Sequence, residues 1–163
     1  MAFPIPGLLV PIVLQNLLVV LAGLLLGPAQ GGAAVFLFLV LGAFGFPVFS
    51  GGHGGLAWFA GPTGGYLVGY LAAAPLVGLI AKGRRMIPSF VASFVGFALI
   101  LLIGAIRLKF FKSMSWEAAF IGGVLPFVIG DAVKALLAAL LAIRLGPWVD
   151  RLRESVAGDK GVA

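Results

Sequence analysis

Two ionisable residues, Asp131 and Lys134, interrupt the apolar stretch LPFVIGDAVKALLAALL and lie three positions apart. On a helix this spacing places both side chains on one face, where they can form an ion pair. Each costs about 2.5–3.5 kcal/mol to insert into a membrane, and ionisable residues inside a membrane are usually functional. A carboxylate accepts hydrogen bonds and an ammonium donates them, so the pair suits a small polar group carrying both N–H groups and oxygens. The alternative is a structural pair in which each charge only neutralises the other.

Amide side chains form a second polar pair in the first apolar stretch, at Gln15 and Asn16. A buried amide commonly bonds a neighbouring helix, but Gln15 could equally reach the ligand of the charged pair. The single histidine, His53, lies among glycines with no second histidine, cysteine or carboxylate nearby. A metal site is therefore not expected, and His53 is interpreted as a surface residue.

A glycine-rich loop dominates residues 45–70, GFPVFSGGHGGLAWFAGPTGGYLVGY. Glycine lets the backbone approach a ligand or another helix closely, and the Pro-Thr-Gly sequence at 62–64 predicts a turn. We interpret this stretch as a loop that holds a ligand; the alternative is that glycines simply end membrane helices. Aromatic residues that could form an apolar wall, or merely mark the membrane interface, are Trp58, Phe59, Tyr66 and Tyr70.

Composition defines the class of protein. Of 163 residues, 62% are hydrophobic and 10% are charged, against about 25% charged in soluble domains, which predicts an all-α integral membrane protein in the lipid bilayer. The net charge of +6 comes mostly from residues at the ends of apolar spans and in the tail, so no nucleic-acid partner is expected. The sequence has no P-loop, no HExxH motif and no cysteine. We therefore expect that the protein is not an enzyme and binds no cofactor.

The pattern predicts a helical bundle of five spans in a single domain, residues 1–146, followed by a polar cytoplasmic tail, 147–163. The spans are residues 12–26, 32–49, 65–81, 88–106 and 125–143. Gly27-Pro28 ends the first span, and Ser115 is a plausible N-cap for a short helix before the last. Small residues that offer close-packing faces, for internal packing or for a partner, are Ala72, Ala73, Ala74, Gly78, Ala135, Ala138, Ala139 and Ala142.

The distribution of basic residues predicts the orientation. Loops after the third and fifth spans share one side of the membrane, and they carry more lysine and arginine than the loop after the fourth span. By the positive-inside rule that side is cytoplasmic, which places the C-terminus inside and the glycine-rich loop, residues 50–64, outside. The contrast is seven residues (Lys82, Arg84, Arg85, Arg144, Arg151, Arg153, Lys160) against three (Arg107, Lys109, Lys112).

Three segments together resemble the BioY family, the biotin-specific membrane subunit, or S component, of energy-coupling-factor (ECF) transporters. They are VPIVLQNLLVVLAGLLLGPAQG, GAFGFPVFSGGHGGLAWFAGPTGGYLVGY and GGVLPFVIGDAVKALLAALL. The resemblance covers most of residues 10–143, and the succession of GPTGGYL and PFxxGDxxK is specific. It implies a six-helix bundle in the cell membrane with a biotin pocket near the outer face. The implied partners are a transmembrane coupling subunit and two ATPase subunits.

The resemblance also implies roles for individual residues. One hypothesis is that the aspartate accepts the ureido N–H groups of biotin while the lysine donates to an oxygen; the reverse assignment, with lysine on the carboxylate, fits the sequence equally well. By position, the ligand contacts are Asp131 and Lys134, the pocket lining is Gln15 and Tyr66, and the covering loop is Ser50 to Gly65, including Gly64.

Two features leave alternatives open. Family members usually have an extra helix before the VPIxLQ segment, where this chain almost begins, so we expect a start placed too late, a fragment or a short form. The absence of that helix would affect coupling more than ligand binding. Alternative functions are a stand-alone solute transporter or channel with a re-entrant loop, and a non-transporting scaffold in which Asp131 and Lys134 form a structural pair.

Overall fold

A computed structural model of the chain describes residues 2–3 and 12–159, which are almost entirely helical. Met1 and residues 4–11 and 160–163 lie outside the described residues. They include the start of the VPIxLQ segment and Lys160 of the predicted tail. Strands β1 (Ala2–Phe3) and β2 (Ile12–Val13) form a short antiparallel pair. The helices are α1 (Gln15–Ala43), α2 (Ala57–Ala60), α3 (Gly64–Ile80), α4 (Met86–Lys112), α5 (Trp116–Gly123) and α6 (Leu125–Asp159), with a 3₁₀ turn at Lys82–Arg84.

Helix α1 consists of two arms separated at Gly27. This glycine has φ 79° and ψ −177°, a conformation that other residues rarely adopt, and Pro28 begins the second arm. The arms fold back on each other, because a Cβ built on Gly31 would lie only 2.8 Å from the carbonyl oxygen of Ala22. The first two predicted spans are therefore the two arms of α1, and with α3, α4 and α6 they account for the five predicted spans.

Three apolar stretches are long enough to cross a membrane by length and composition: Gln15–Ala43, Met86–Lys112 and Trp116–Val156. Helix α3 is apolar but shorter, at 17 residues. The chain is thus a multi-pass helical membrane protein, as the composition predicted.

Several boundaries differ from the predicted spans. Helix α1 begins at Gln15 and ends at Ala43, since the chain leaves the helix at Gly45, which has φ 97°. Helix α6 continues to Asp159, so the described part of the predicted polar tail is helical. The predicted N-cap is confirmed, since the Ser115 Oγ accepts a hydrogen bond of 3.1 Å from the backbone N–H of Ala118.

Neighbouring helices approach closely in the core. Helices α1 and α4 each pack on both α3 and α6, and α5 packs on α4. At Gly23 in the first arm of α1, a Cβ would lie 2.3 Å from the Ala74 carbonyl oxygen, so a larger residue would push this arm away from α3. Most of the predicted small-residue faces serve internal packing: Ala73, Ala74, Ala135, Ala138, Ala139 and Ala142 are fully buried, whereas Ala72 is exposed.

Three arginine side chains bond backbone carbonyls at two opposite ends of the bundle. At one end Arg84 and Arg153 bond carbonyls at the end of the first arm of α1, and Arg84 also pairs with Asp150. At the other end Arg107 bonds carbonyls in the glycine-rich loop. The assignment of the first end to the cytoplasmic side stays a prediction.

Candidate ligand-binding site

Helix α6 places Asp131 and Lys134 on one face, one turn apart, as their spacing predicts. The Lys134 Nζ and the Asp131 Oδ1 form an ion pair. Only 2% of Asp131 and 6% of Lys134 are exposed, so both charges lie inside the bundle. Charges this deeply buried require further hydrogen bonds to offset the loss of water.

Asn16, on the first arm of α1, supplies those bonds. Its Nδ2 donates to the Asp131 Oδ1 at 3.4 Å, and its Oδ1 accepts from the Lys134 Nζ at 3.2 Å. One amide thus bridges both charges and ties α1 to α6. We call Asn16, Asp131 and Lys134 the polar cluster.

Asn16 joins the cluster, whereas the predicted pocket residue is its neighbour Gln15. The helical pattern contains the signal that distinguishes them: Asn16 shares a buried face with Val19, Val20 and Gly23, at spacings of three, four and seven. Gln15 lies one position off this face and is half-buried.

The two oxygens of the Asp131 carboxylate differ in their hydrogen bonds. Lys134 donates to the carboxylate and to the Asn16 amide, and its ammonium lies 5.3 Å from the centre of the Phe97 ring. The second carboxylate oxygen, Asp131 Oδ2, is buried and has no hydrogen-bond partner among the described residues. An orphaned buried acceptor is costly unless another group bonds it. Asp131 Oδ2, unpartnered among the described residues, can therefore accept a hydrogen bond from a ligand.

Three further side-chain atoms, one at the start of α1 and two in the glycine-rich loop, are buried without a partner in the described ranges. They are the Gln15 Nε2, the Ser50 Oγ and the Thr63 Oγ1. Gln15 precedes the bridging asparagine, Ser50 lies in the glycine-rich loop, and Thr63 ends that loop. An amide nitrogen donates and a hydroxyl both donates and accepts. These three atoms and the Asp131 Oδ2 therefore comprise both hydrogen-bond donors and acceptors.

Two predicted site residues have packing contacts in the structure. The Tyr66 hydroxyl donates a hydrogen bond of 3.0 Å to the Gly123 carbonyl, which ties α3 to α5, and its ring packs against Gly104 of α4. Gly64 lies against the backbone of α2, where a Cβ would stand 2.0 Å from the Phe59 carbonyl oxygen. The structure therefore gives both residues a part in helix and loop packing.

In the structure the glycine-rich loop extends from the end of α1 to the start of α3, residues 44–63, and folds against the end of the second arm of α1. Phe49 is its buried anchor, with edge-to-face contacts to Phe38 and Phe59 at 5.7 and 5.6 Å between ring centres. His53 is exposed and stacks on Trp58 at 4.7 Å. Within residues 2–3 and 12–159, no three metal-ligating side chains gather into a site.

An apolar cavity of about 640 Å³ also adjoins the cluster, between α4, α5 and α6. Asp131 forms part of its wall, and nearly all other lining groups are aliphatic or aromatic, among them Phe97, Leu101, Trp116 and Val128. The cavity wall includes two acidic residues, Asp131 and Glu117. Carboxylates beside apolar side chains suit a ligand with a hydrophobic body and a few hydrogen-bond donors.

Comparisons with known proteins agree with this architecture. The model of the BioY family matches residues 1–151. "Probable biotin transporter BioY" of Pyrococcus horikoshii is 43% identical over 136 residues, covering 83% of this chain and 80% of the relative. "Biotin transporter BioY" of Thermotoga maritima is 39% identical over 137 residues, covering 83% and 80%. A crystal structure of "the S-component for biotin from an ECF-type ABC transporter" matches with a TM-score of 0.83 and 34% identity, covering 88% of this chain and 79% of that one. The chain belongs to the BioY family.

Proposed function

We propose that this protein is the biotin-binding S component of an ECF-type vitamin uptake transporter. One observation supports this most directly: Asp131 Oδ2 is buried beside a fixed lysine and has no partner within the described part of the chain. The relatives named as biotin transporters and the structural match to an S component for biotin support biotin as the ligand.

The unequal use of the cluster favours one of the two orientations of biotin. The ureido ring of biotin carries two N–H donors and one carbonyl acceptor, and Asp131 Oδ2 is an acceptor with free capacity. Lys134 already donates to Asp131 and to Asn16, so its main role is to hold the carboxylate ionised and in place. We therefore place the ureido N–H groups at Asp131, with the apolar part of the bicycle on neighbouring aromatic and aliphatic side chains.

The remaining polar groups complete the proposed pocket. Gln15 and Ser50 are assigned to oxygens of biotin, since the Gln15 amide nitrogen donates and the Ser50 hydroxyl can do so. The ring of Tyr66 is assigned to the pocket wall, and Gly64 to the junction between α3 and the loop that covers the ligand. The hydroxyl of Thr63 is a further candidate, because it is buried without a partner among the residues described.

The wider assignments follow from the proposed role. Residues 1–146 form the membrane domain in the cell membrane, 147–163 form a cytoplasmic tail, and the loop 50–64 faces outside. A transmembrane coupling subunit and two ATPase subunits supply the energy, which fits a sequence that has no P-loop of its own. The protein itself performs no catalysis in this scheme.

Equilibrium binding to the purified, detergent-solubilised chain tests the function. We expect saturable binding of biotin, with riboflavin and thiamine as vitamins that do not compete. Biotin methyl ester tests the orientation: it keeps the ureido ring and loses the carboxylate charge, so it should retain most of the affinity if the ring lies at Asp131. No binding of biotin would contradict the function, and loss of binding on esterification would favour the reversed orientation.

A further inference from the structure

The glycine-rich loop is fastened to α4 by one arginine. The Arg107 Nη2 donates to the Ala60 carbonyl, and its Nε lies 3.5 Å from the Gly61 carbonyl oxygen. These carbonyls belong to the last residue of α2 and to the glycine after it, where a helix end leaves carbonyl groups without helical partners. A guanidinium donates several hydrogen bonds in a fixed plane and stays charged, so it suits two adjacent carbonyls.

Two contacts hold Arg107 in position, one with the start of α3 and one within α4. A Cβ built on Gly65, at the start of α3, would lie 2.3 Å from the Arg107 Cβ, so only glycine lets α4 come this close. The guanidinium also lies 5.4 Å from the centre of the Phe111 ring, one turn further along α4. Arg107 is thus held by its own helix while it bonds the loop.

We propose that Arg107 is a positioning residue that latches the glycine-rich loop, and that release of this latch sets the rates of both biotin entry and biotin exit. The proposal rests on the proposed function, in which this loop covers the ligand. Arg107 bonds loop carbonyls rather than any group assigned to biotin. A contact that is made whenever the loop is closed, with ligand or without, does not change the difference between the two states and leaves the equilibrium affinity unchanged.

This argument gives a kinetic signature. Entry and exit both require an open loop, so weakening the latch raises both rate constants together. In Arg107→Gln, which removes the charge and the planar fork, we expect the association and dissociation rate constants for biotin each to rise about tenfold, the effect of about 1.4 kcal/mol. The dissociation constant should change by less than about threefold.

Lys109→Gln is the matched control. Lys109 lies two residues further along α4, and its ammonium contacts the rings of Phe110 and Trp116 at 4.5 and 4.7 Å. The substitution removes the same charge from the same end of the bundle but leaves the latch intact, so both rate constants should stay at their wild-type values. Arg107→Lys keeps the charge without the fork and should give a smaller acceleration of the same sign.

A second measurement needs no ligand. The sequence contains no cysteine, so Thr63→Cys introduces a single thiol where the Oγ1 is buried. A maleimide reagent should label this thiol about tenfold faster when Arg107→Gln is added, and no faster when Lys109→Gln is added, if the latch governs opening.

The outcomes separate the two proposals. Faster labelling with parallel changes in both biotin rate constants supports the latch. Unchanged labelling overturns it, as does faster biotin release with unchanged or slower entry, which is the result expected if Arg107 contacts the ligand directly. If the wild-type chain does not bind biotin, the proposed function fails, and the labelling rates alone decide whether Arg107 is a latch. If Arg107→Gln cannot be purified in a folded state, the same rate constants are compared between the wild type and Arg107→Lys.

Discussion

Removing one charge from the polar cluster, and then the other, separates its structural role from its role in binding. Lys134→Met keeps an apolar side chain of similar length and leaves the Asp131 carboxylate uncompensated at 2% exposure. Removing one partner of a buried ion pair costs about 3–5 kcal/mol. For a chain of this size that corresponds to a fall in melting temperature of about 6–20 °C. Lys112→Met, the same change at an exposed position of α4, should cost less than about 0.5 kcal/mol.

Adding Asp131→Asn to Lys134→Met removes the second charge and should restore much of the lost stability. The uncharged double variant retains an amide that can bond Asn16 in place of the carboxylate. Replacing both members of a buried pair by neutral groups is often close to neutral. Biotin binding should not recover, because the ionised acceptor is gone; the loss of one charge-assisted hydrogen bond corresponds to about 10–150-fold in the dissociation constant.

The assay combines thermal unfolding in detergent with biotin binding on the same four preparations: the wild type, each single variant and the double variant. The binding interpretation requires a double variant that is folded and nearly as stable as the wild type but binds biotin weakly. A double variant with wild-type affinity would refute it and would make Asp131 and Lys134 a structural pair. A stable Lys134→Met single variant would instead refute the reasoning about buried charge.

Three further predictions concern the framework around the site. Gly23→Ala should lower the unfolding free energy by about 1–3 kcal/mol through overpacking. At Gly130 a Cβ would meet no atom within 4 Å, so Gly130→Ala should stay within about 1 kcal/mol of the wild type. Equal losses of unfolding free energy in the two variants, measured by denaturation, would contradict the close packing at Gly23. Tyr66→Phe should cost about 1 kcal/mol by losing its bond to α5 and change biotin affinity by less than about threefold; a larger change would mean that the hydroxyl contacts the ligand. Hydrogen bonds from Arg84 lower the pKa of the Asp150 carboxyl, so the ionised form stabilises the fold above the ordinary pKa of about 3.9 and this stabilisation is lost as the pH falls below it. The gap in melting temperature between the wild type and Asp150→Asn should therefore stay constant above about pH 5 and narrow as the pH falls from about 5 to about 3. A gap that does not change over this range would contradict the prediction.

The sequence predicted the fold because its signals are local. Apolar runs of span length and the Gly27-Pro28 break depend on neighbouring residues, and the structure confirms them. The helix break at Gly27 could be predicted from the sequence. That the two arms of α1 fold back on each other depends on the close contact between Gly31 and Ala22, which the sequence does not reveal. The helical continuation of α6 past the apolar stretch was missed, because polar composition indicates an exposed segment and not whether it is helical.

The site was only partly predictable for a related reason. The pairing of Asp131 with Lys134 follows from their separation on one helix. Asn16 joins them from 115 positions away, and no spacing rule relates residues so distant in sequence. To choose Asn16 over Gln15, one must know which face of the first arm of α1 is buried. That face becomes clear only when the spacing of the buried positions after Asn16 is considered as a set.

The basic residues that predict orientation also bond backbone carbonyls where the helices are interrupted. The break at Gly27 leaves carbonyls of the first arm of α1 without helical partners, and Arg84 and Arg153 bond Leu24, Leu25 and Leu26 there. Backbone groups left without partners in a membrane cost several kcal/mol each, so a broken helix needs donors that reach its end. Arginine meets this need better than lysine, because its planar fork serves adjacent acceptors at once. The charge of these arginines and the shape of the guanidinium group therefore have separable effects, on orientation and on stability. Arg84→Lys should preserve the orientation of the chain in the membrane while lowering its stability. An inverted topology in that variant would show that charge alone does not fix the orientation.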